Sequence, residues 1–262
     1  MNVQRVTPSV LGSTLLAAVA IIVIWFPSLA RAQMFSYGGS ERRSVQALSF
    51  VTYFIDFEYN GRSEPDVRLD FSGPAYGVMY NRASFSAAIA WGNSSREPGT
   101  IGTELNIVDA SLTFRGNILQ WGRGGSSQFG IPIVIFSGYR SVDPSLSTAP
   151  NDEFNYSSLG IGTGATFHSE LSSHFWIDIR AWPVISMSFR SFEGFAGSTF
   201  LVDTDAQLHV VDLFNTVGLS VGYGFRYQAW DNKDSGISGG IIGEDQFDYK
   251  SSQHMVRVGI NW

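Results

Sequence analysis

Asp203, Asp205, Gln207 and His209 stand at two-residue spacing. In a strand that spacing sets two carboxylates, an amide and an imidazole on one face, a donor set that can ligate a divalent metal or close into a hydrogen-bonded network. With no second histidine assured at matching depth, the network is the preferred reading. The same alternation gathers more charge: Asp56, Glu58, Asp109 and Asp178 on one side of the balance, Arg115, Arg140, Arg180, Arg226 and Arg257 on the other. If these side chains share one confined interior they must pair, because unpaired buried charge is costly. The expectation is an interior charge network of all of them, His209 included, either structural or lining a narrow solute path. No residue is assigned to catalysis, to a cofactor or to a metal.

Such a network needs strands to hold it, and alternation recurs along the chain. Phe50 to Tyr59 sets Val51, Tyr53, Ile55, Phe57 and Tyr59 against Thr52, Asp56 and Glu58, and the apolar set is expected to face outward. From Val67 to Tyr80 the outward set starts as Val67, Leu69 and Phe71 and ends as Tyr76, Val78 and Tyr80, so a bulge is expected at Gly73-Pro74. Phe85 to Trp91 and Val108 to Phe114 complete two hairpins, with Asp109, Ser111, Thr113 and Arg115 inward. Gly116-Asn117 reads as the next turn and Ile131 to Arg140 as a fifth strand. Residues 118–130 remain open between the lower part of an interrupted strand, an inward-folded segment and a long turn. Further runs follow at Glu153 to Phe167, His174 to Arg190, Val202 to Val210, Val217 to Tyr227 and His254 to Trp262. Gly160, Gly162, Gly164, Gly218, Gly222 and Gly224 fall on the polar face, where they would make room for Arg, Trp and Tyr from facing strands.

Connections alternate as well. Asn93 to Thr103, Ser141 to Asp152 and Asp231 to Gln246 are long and polar, whereas Asn81-Arg82 and Ser169 to Ser173 are short. Composition agrees with a strand-rich chain: 14% aromatic, 15% charged, 28 glycines and no cysteine, which removes disulfides and thiolate metal sites. The net charge of −6 gives no reason to expect nucleic-acid binding.

Both chain ends sharpen the class. The last residues put Val256, Val258, Ile260 and Trp262 on one face and Arg257, Gly259 and Asn261 on the other. This resembles the C-terminal assembly signal of bacterial outer-membrane β-barrels, with Trp262 where phenylalanine is commoner. Arg5, the apolar run from about Val10 to Phe26, Pro27 and Ala30-Arg31-Ala32 have the layout of a secretory signal peptide cleaved after Ala32. A retained anchor is the alternative. The expected organisation is therefore a signal peptide over 1–32, a periplasmic segment over 33–46 and a barrel over 47–262. The fold class is all-β: a transmembrane, antiparallel, up-and-down barrel of about ten strands, with 8 or 12 as alternatives.

What the resemblance implies is a Gram-negative, porin-like membrane protein with both termini periplasmic, in contact with outer-membrane lipid and with the barrel assembly machinery during biogenesis. A soluble exported lipocalin-like barrel would show the same alternation with its apolar face inside. Ten strands also invite comparison with the omptin proteases, whose barrels carry an acidic pair and a His-Asp pair at the external rim. Here His168, His174 and His209 map to the periplasmic ends of their strands and His254 lies within the last, so that match fails on its catalytic residues. An outer-membrane hydrolase with a lumen or rim Asp/His site stays as an alternative, although no Ser-His-Asp order and no Gly-x-Ser-x-Gly elbow stands out. Tyr53, Tyr59, Tyr80, Trp91, Tyr223 and Tyr227 are expected at lipid or headgroup level. The last loop is acidic, with Asp231, Asp234, Glu244, Asp245 and Asp248, and glycine-rich, but lacks the regular spacing of an EF-hand. It identifies no external ligand.

Overall fold

The computed structural model describes residues 45–59, 69–94, 104–122, 126–144, 154–190, 194–230 and 249–262. The signal-peptide region, the segment over 33–44 and the acidic last loop lie outside them. The described residues form β1 (Ala47–Tyr59), β2 (Phe71–Arg82), β3 (Phe85–Ser94), β4 (Leu105–Trp121), β5 (Ser127–Pro144), β6 (Phe154–Thr163), β7 (Ala165–Glu170), β8 (Phe175–Arg190), β9 (Gly194–Phe214), β10 (Val217–Trp230) and β11 (Tyr249–Asn261). β6 and β7 are two pieces of one stave broken at Gly164, since both pair with β5 on one side and β8 on the other. The barrel therefore has ten staves, each antiparallel to its neighbours, and β1 pairs with β11 to close it.

Closure can be followed residue by residue. Ala47 pairs with Asn81, and the partners then run through Ser86, Thr113, Phe136, Gly160, Ser186, Thr199, Trp230 and Tyr249 to Tyr59. One circuit thus begins on the first residue of β1 and returns on its last, the stagger that a closed barrel of tilted strands requires. The short turns and residue 262 share one end, here the turn end. The long connections share the other, the loop end. At the turn end Asn215 joins β9 to β10 at φ 64, in the left-handed region that asparagine tolerates. Asp212 at φ 55 precedes it, beside the register shift between Val217 and Leu219.

Outward positions carry large apolar side chains around the whole circumference, from Phe50, Val78 and Trp91 through Ile135, Ile161 and Ile185 to Val221 and Val258. Inside, the loop end is filled by one apolar cluster built from Tyr53, Ile55, Phe57, Phe71, Phe154 and Trp230 with their neighbours. Phe57 and Phe154 rings lie 4.7 Å apart, and Phe57 stacks on Tyr249 at 5.2 Å. A second cluster joins Val134, Phe136, Trp182, Val184 and Leu201 on the opposite wall.

That cluster overturns the expected facing of β1. Val51, Tyr53, Ile55 and Phe57 point inward, and Asp56 and Glu58 stand exposed on the outer wall. Tyr53 is accordingly no girdle residue. β2 keeps one parity and an unbroken register with β1, with Leu69 and Phe71 inward, so there is no bulge at Gly73-Pro74. The cause is common to both strands: near the loop end polar outward positions such as Asp56 face solvent, and the apolar side chains fill the interior instead. No turn falls at Gly116-Asn117 either; β4 runs on to Trp121 and β5 begins at Ser127, so residues 118–121 and 127–130 belong to the lower part of a long strand pair, with a register shift between Asn117 and Leu119, and residues 123–125 lie outside the described ones. Several interior glycines do give room, but to the stave alongside. A side chain at Gly164 would strike Trp182 of β8, and one at Gly222 would strike Arg257 of β11.

Candidate functional site

Below the aromatic cluster, toward the turn end, the lumen carries its charge in three layers. Each is set by cross-strand register: a polar side chain faces inward at every second residue, and its partner comes from the adjacent stave or from across the barrel. In the first layer Arg140 donates from Nε to Asp109 at 2.8 Å, and Arg226 donates from Nη2 to Asp203 at 2.7 Å. Arg226 Nη1 also lies 3.9 Å from Asp109, which links the two pairs across the lumen. The guanidinium carbons of Arg140 and Arg226 sit 5.1 and 5.4 Å from the ring centres of Trp230 and Phe136. Ring faces attract cations in such desolvated places, and here they tie the ionic layer to the apolar ones above and beside it.

The second layer centres on Asp205. Arg180 donates to Oδ1 at 2.9 Å and Arg257 to Oδ2. Asn81 extends the layer: its Oδ1 accepts from Arg180 at 3.0 Å and from Arg115 at 2.9 Å, while its Nδ2 donates to Gln207 at 3.0 Å. Arg115 places its other donors on the carbonyls of Ala83 and Arg82 and on Ser86 Oγ. The third layer lies nearest the turn end. There Asp178 holds two imidazoles, with Oδ1 at 3.0 Å from His168 Nδ1 and Oδ2 at 3.0 Å from His209 Nε2.

Of the residues expected in the network, Asp109, Arg115, Arg140, Asp178, Arg180, Asp203, Asp205, His209, Arg226 and Arg257 meet in these layers. Asp56 and Glu58 do not: Asp56 accepts a hydrogen bond from Ser72 Oγ at 2.5 Å on the outer wall, and Glu58 stands opposite Lys250. The row Asp203, Asp205, Gln207, His209 does share one inward face, but each member serves a different partner, and among the described residues no group of three or more His, Asp or Glu is placed to hold a metal ion.

One arrangement escaped the sequence reading. Ser220 Oγ lies 2.8 Å from His209 Nδ1, so serine, imidazole and the Asp178 carboxylate form one chain of hydrogen bonds across β10, β9 and β8. Gly218-Leu219-Ser220-Val221-Gly222 even carries the letters of a nucleophile motif, but in an unbroken strand rather than a strand-turn-helix elbow. Ser220 is 1% exposed, and its oxygen also accepts from Asn261 Nδ2 at 3.0 Å. Both sides of the hydroxyl are thus engaged within the wall. Only the register of three staves brings these residues together; the Gly-x-Ser-x-Gly spacing marks Ser220 but neither His209 nor Asp178. His254, by contrast, faces outward and meets Tyr223 Oη at 2.7 Å.

The lumen has little open volume. A cavity beside Asp109, Phe136, Arg140 and Arg226 measures about 10 Å³, room for one water. Among the described residues no helix is long and apolar enough to cross a membrane, which says nothing of strands.

No known protein family matches the sequence, and no curated protein matches it either. Similarity does appear among solved structures. The chain resembles the outer membrane protease OmpT from Escherichia coli at 9% identity and a TM-score of 0.39, covering 87% of this chain and 98% of that one. It resembles the translocator domain of autotransporter NalP from Neisseria meningitidis at 11% identity and 0.29, over 97% and 99% of the two chains. A third likeness is to the attachment invasion locus protein Ail of Yersinia pestis, at 9% identity and 0.28, over 84% and 100%. These are likenesses of architecture, and the closed ladder of staves defines the fold without them.

Proposed function

We propose that this chain is an integral outer-membrane β-barrel of a diderm bacterium whose lumen is a filled core, and whose work at the cell surface is done by its long connections. The observation that carries this reading is the inversion of the wall: a belt of apolar side chains around the outside, and ion-paired layers sealed by an aromatic cluster within. A soluble lipocalin-like barrel would turn the apolar face inward, and water would meet this belt at a cost far beyond the few hundred Å² of apolar patch that soluble monomers carry. Lipid removes that cost. An even number of staves puts both termini on one side, and the short turns at that end favour the periplasmic side; on this reading the segment over 33–46 is periplasmic, and the outward face of Val256, Val258, Ile260 and Trp262 is what the assembly machinery reads. A serine-histidine-aspartate chain whose hydroxyl is engaged on both sides, and a lumen crossed by ion-paired layers, favour this reading over an enzyme or a conduit.

The test is gel mobility of membrane-extracted protein, boiled and unboiled, followed by planar-bilayer recording. The expected result is heat-modifiable migration with a silent bilayer. Stepwise conductance would replace the filled lumen with a narrow pore, and absence from the membrane fraction would overturn the outer-membrane reading altogether.

A further inference from the structure

Among the described residues the three layers hold five guanidiniums, from Arg115, Arg140, Arg180, Arg226 and Arg257, against four carboxylates, from Asp109, Asp178, Asp203 and Asp205. The imbalance is local. Arg140 and Arg226 have Asp109 and Asp203, and Asp178 is engaged with the imidazoles, which leaves Asp205 alone among three cations. Among the described residues Arg115 meets no carboxylate at ion-pair distance; it shares the neutral Asn81 Oδ1 with Arg180.

The same layer is short of acceptors. Arg180 Nε, Arg257 Nε and Gln207 Nε2 are buried N–H donors that meet no acceptor, and Gln207 and Arg257 are 1% and 2% exposed. Gln207 and Arg257 stand opposite Gly222 of β10 on its two sides, where the Arg257 guanidinium fills the place a side chain would take, and Arg180 of β8 stands opposite Asp205. A buried donor without an acceptor is costly, and more so when charged. Surplus positive charge and surplus donors in one place are both answered by one species. We propose that the Asp205 layer is a binding site for a small monovalent anion of halide size, held by Arg180, Arg257 and Gln207. The near-complete burial of Gln207 and Arg257 sets the size limit.

This inference does not depend on what the external connections do, and its test needs only the folded barrel in detergent. Chloride-35 linewidths would be titrated with protein, and thermal unfolding compared in chloride, bromide, gluconate and sulfate at equal ionic strength. Saturable line broadening is expected, with an unfolding midpoint raised by chloride and bromide and not by gluconate or sulfate. Gln207→Leu keeps the volume, removes one neutral donor and should weaken chloride binding roughly tenfold, as expected for one hydrogen bond to a charged group. Arg180→Lys serves as a second variant should the first fail to fold; it keeps the charge, removes the unmet Nε donor and should weaken binding to a similar extent. Linewidths without saturation, or the same affinity in Gln207→Leu as in the parent, would overturn the site and leave these donors to water. A stronger response to sulfate than to chloride would overturn the proposed size.

Discussion

Arg226 shows how much one side chain carries in this lumen. It is hydrogen-bonded to Asp203, lies near Asp109 and sits over the Phe136 ring. Removing one partner of a buried pair leaves the other charge stranded, at about 3–5 kcal/mol, whereas replacing both by apolar residues of similar volume is often neutral. Arg226→Met should therefore lose about that much stability in urea unfolding of the reconstituted barrel, and Arg226→Met with Asp203→Leu should recover most of it. A fully additive double variant would show that the two do not act as a pair. Asp56→Ala is the control, expected to stay within about 0.5 kcal/mol of the parent because its side chain is on the solvated outer wall. The contrast also marks what was legible. Where apolar residues face out and polar ones in, as along β4, β8, β9 and β10, alternation assigns Asp109, Asp178, Asp203, Asp205 and Arg226 to the interior without help. On β1 one face is apolar from Val51 to Tyr59 and the other mixes Phe50 and Phe54 with Thr52, Asp56 and Glu58, and nothing within the strand says that the apolar face fills the lumen.

At the scale of the strand, β11 is where the outer belt is most regular: Val256, Val258, Ile260 and Trp262 are all exposed, opposite the buried Arg257 and Asn261. Val258→Arg would set a cation into lipid and cost about 2–4 kcal/mol near the bilayer midplane. The same change at Ser72, an exposed outward position of β2 toward the loop end, should be almost free. Equal costs at the two positions, measured by refolding into vesicles, would remove the bilayer from the explanation. Strand ends were harder to read than strand faces. Gly116-Asn117 has the residues of a turn, yet β4 continues past it because the β5 partners Ile133 and Pro132 keep the ladder going. The break at Gly164 was invisible for the opposite reason, since it interrupts hydrogen bonding without changing which side faces the lumen.

For the molecule as a whole, the aromatic cluster at the loop end is what separates a sealed barrel from an open one. Phe154 lies 4.7 Å from Phe57 and 5.4 Å from Trp230. Truncating a buried aromatic costs about 3–5 kcal/mol, so single alanine variants should keep their fold and remain silent in planar bilayers. Combining Phe57→Ala, Phe154→Ala and Trp230→Ala should lower the heat-modification temperature and admit a small current through the charged layers. Silence from a folded triple variant would mean that those layers close the lumen without aromatic help.

The backbone at the closing pair has one more property. Gln46 N donates to Trp262 O at 3.1 Å, and Trp262 N donates to Gln46 O at 3.0 Å. The ladder thus runs one pair beyond the first residue of β1 and the last of β11, so the closing joint of the ring is hydrogen-bonded to its end. A circular permutant that joins residue 262 to residue 46 through a short glycine linker and opens between β5 and β6 should refold in detergent to the same heat-modifiable barrel.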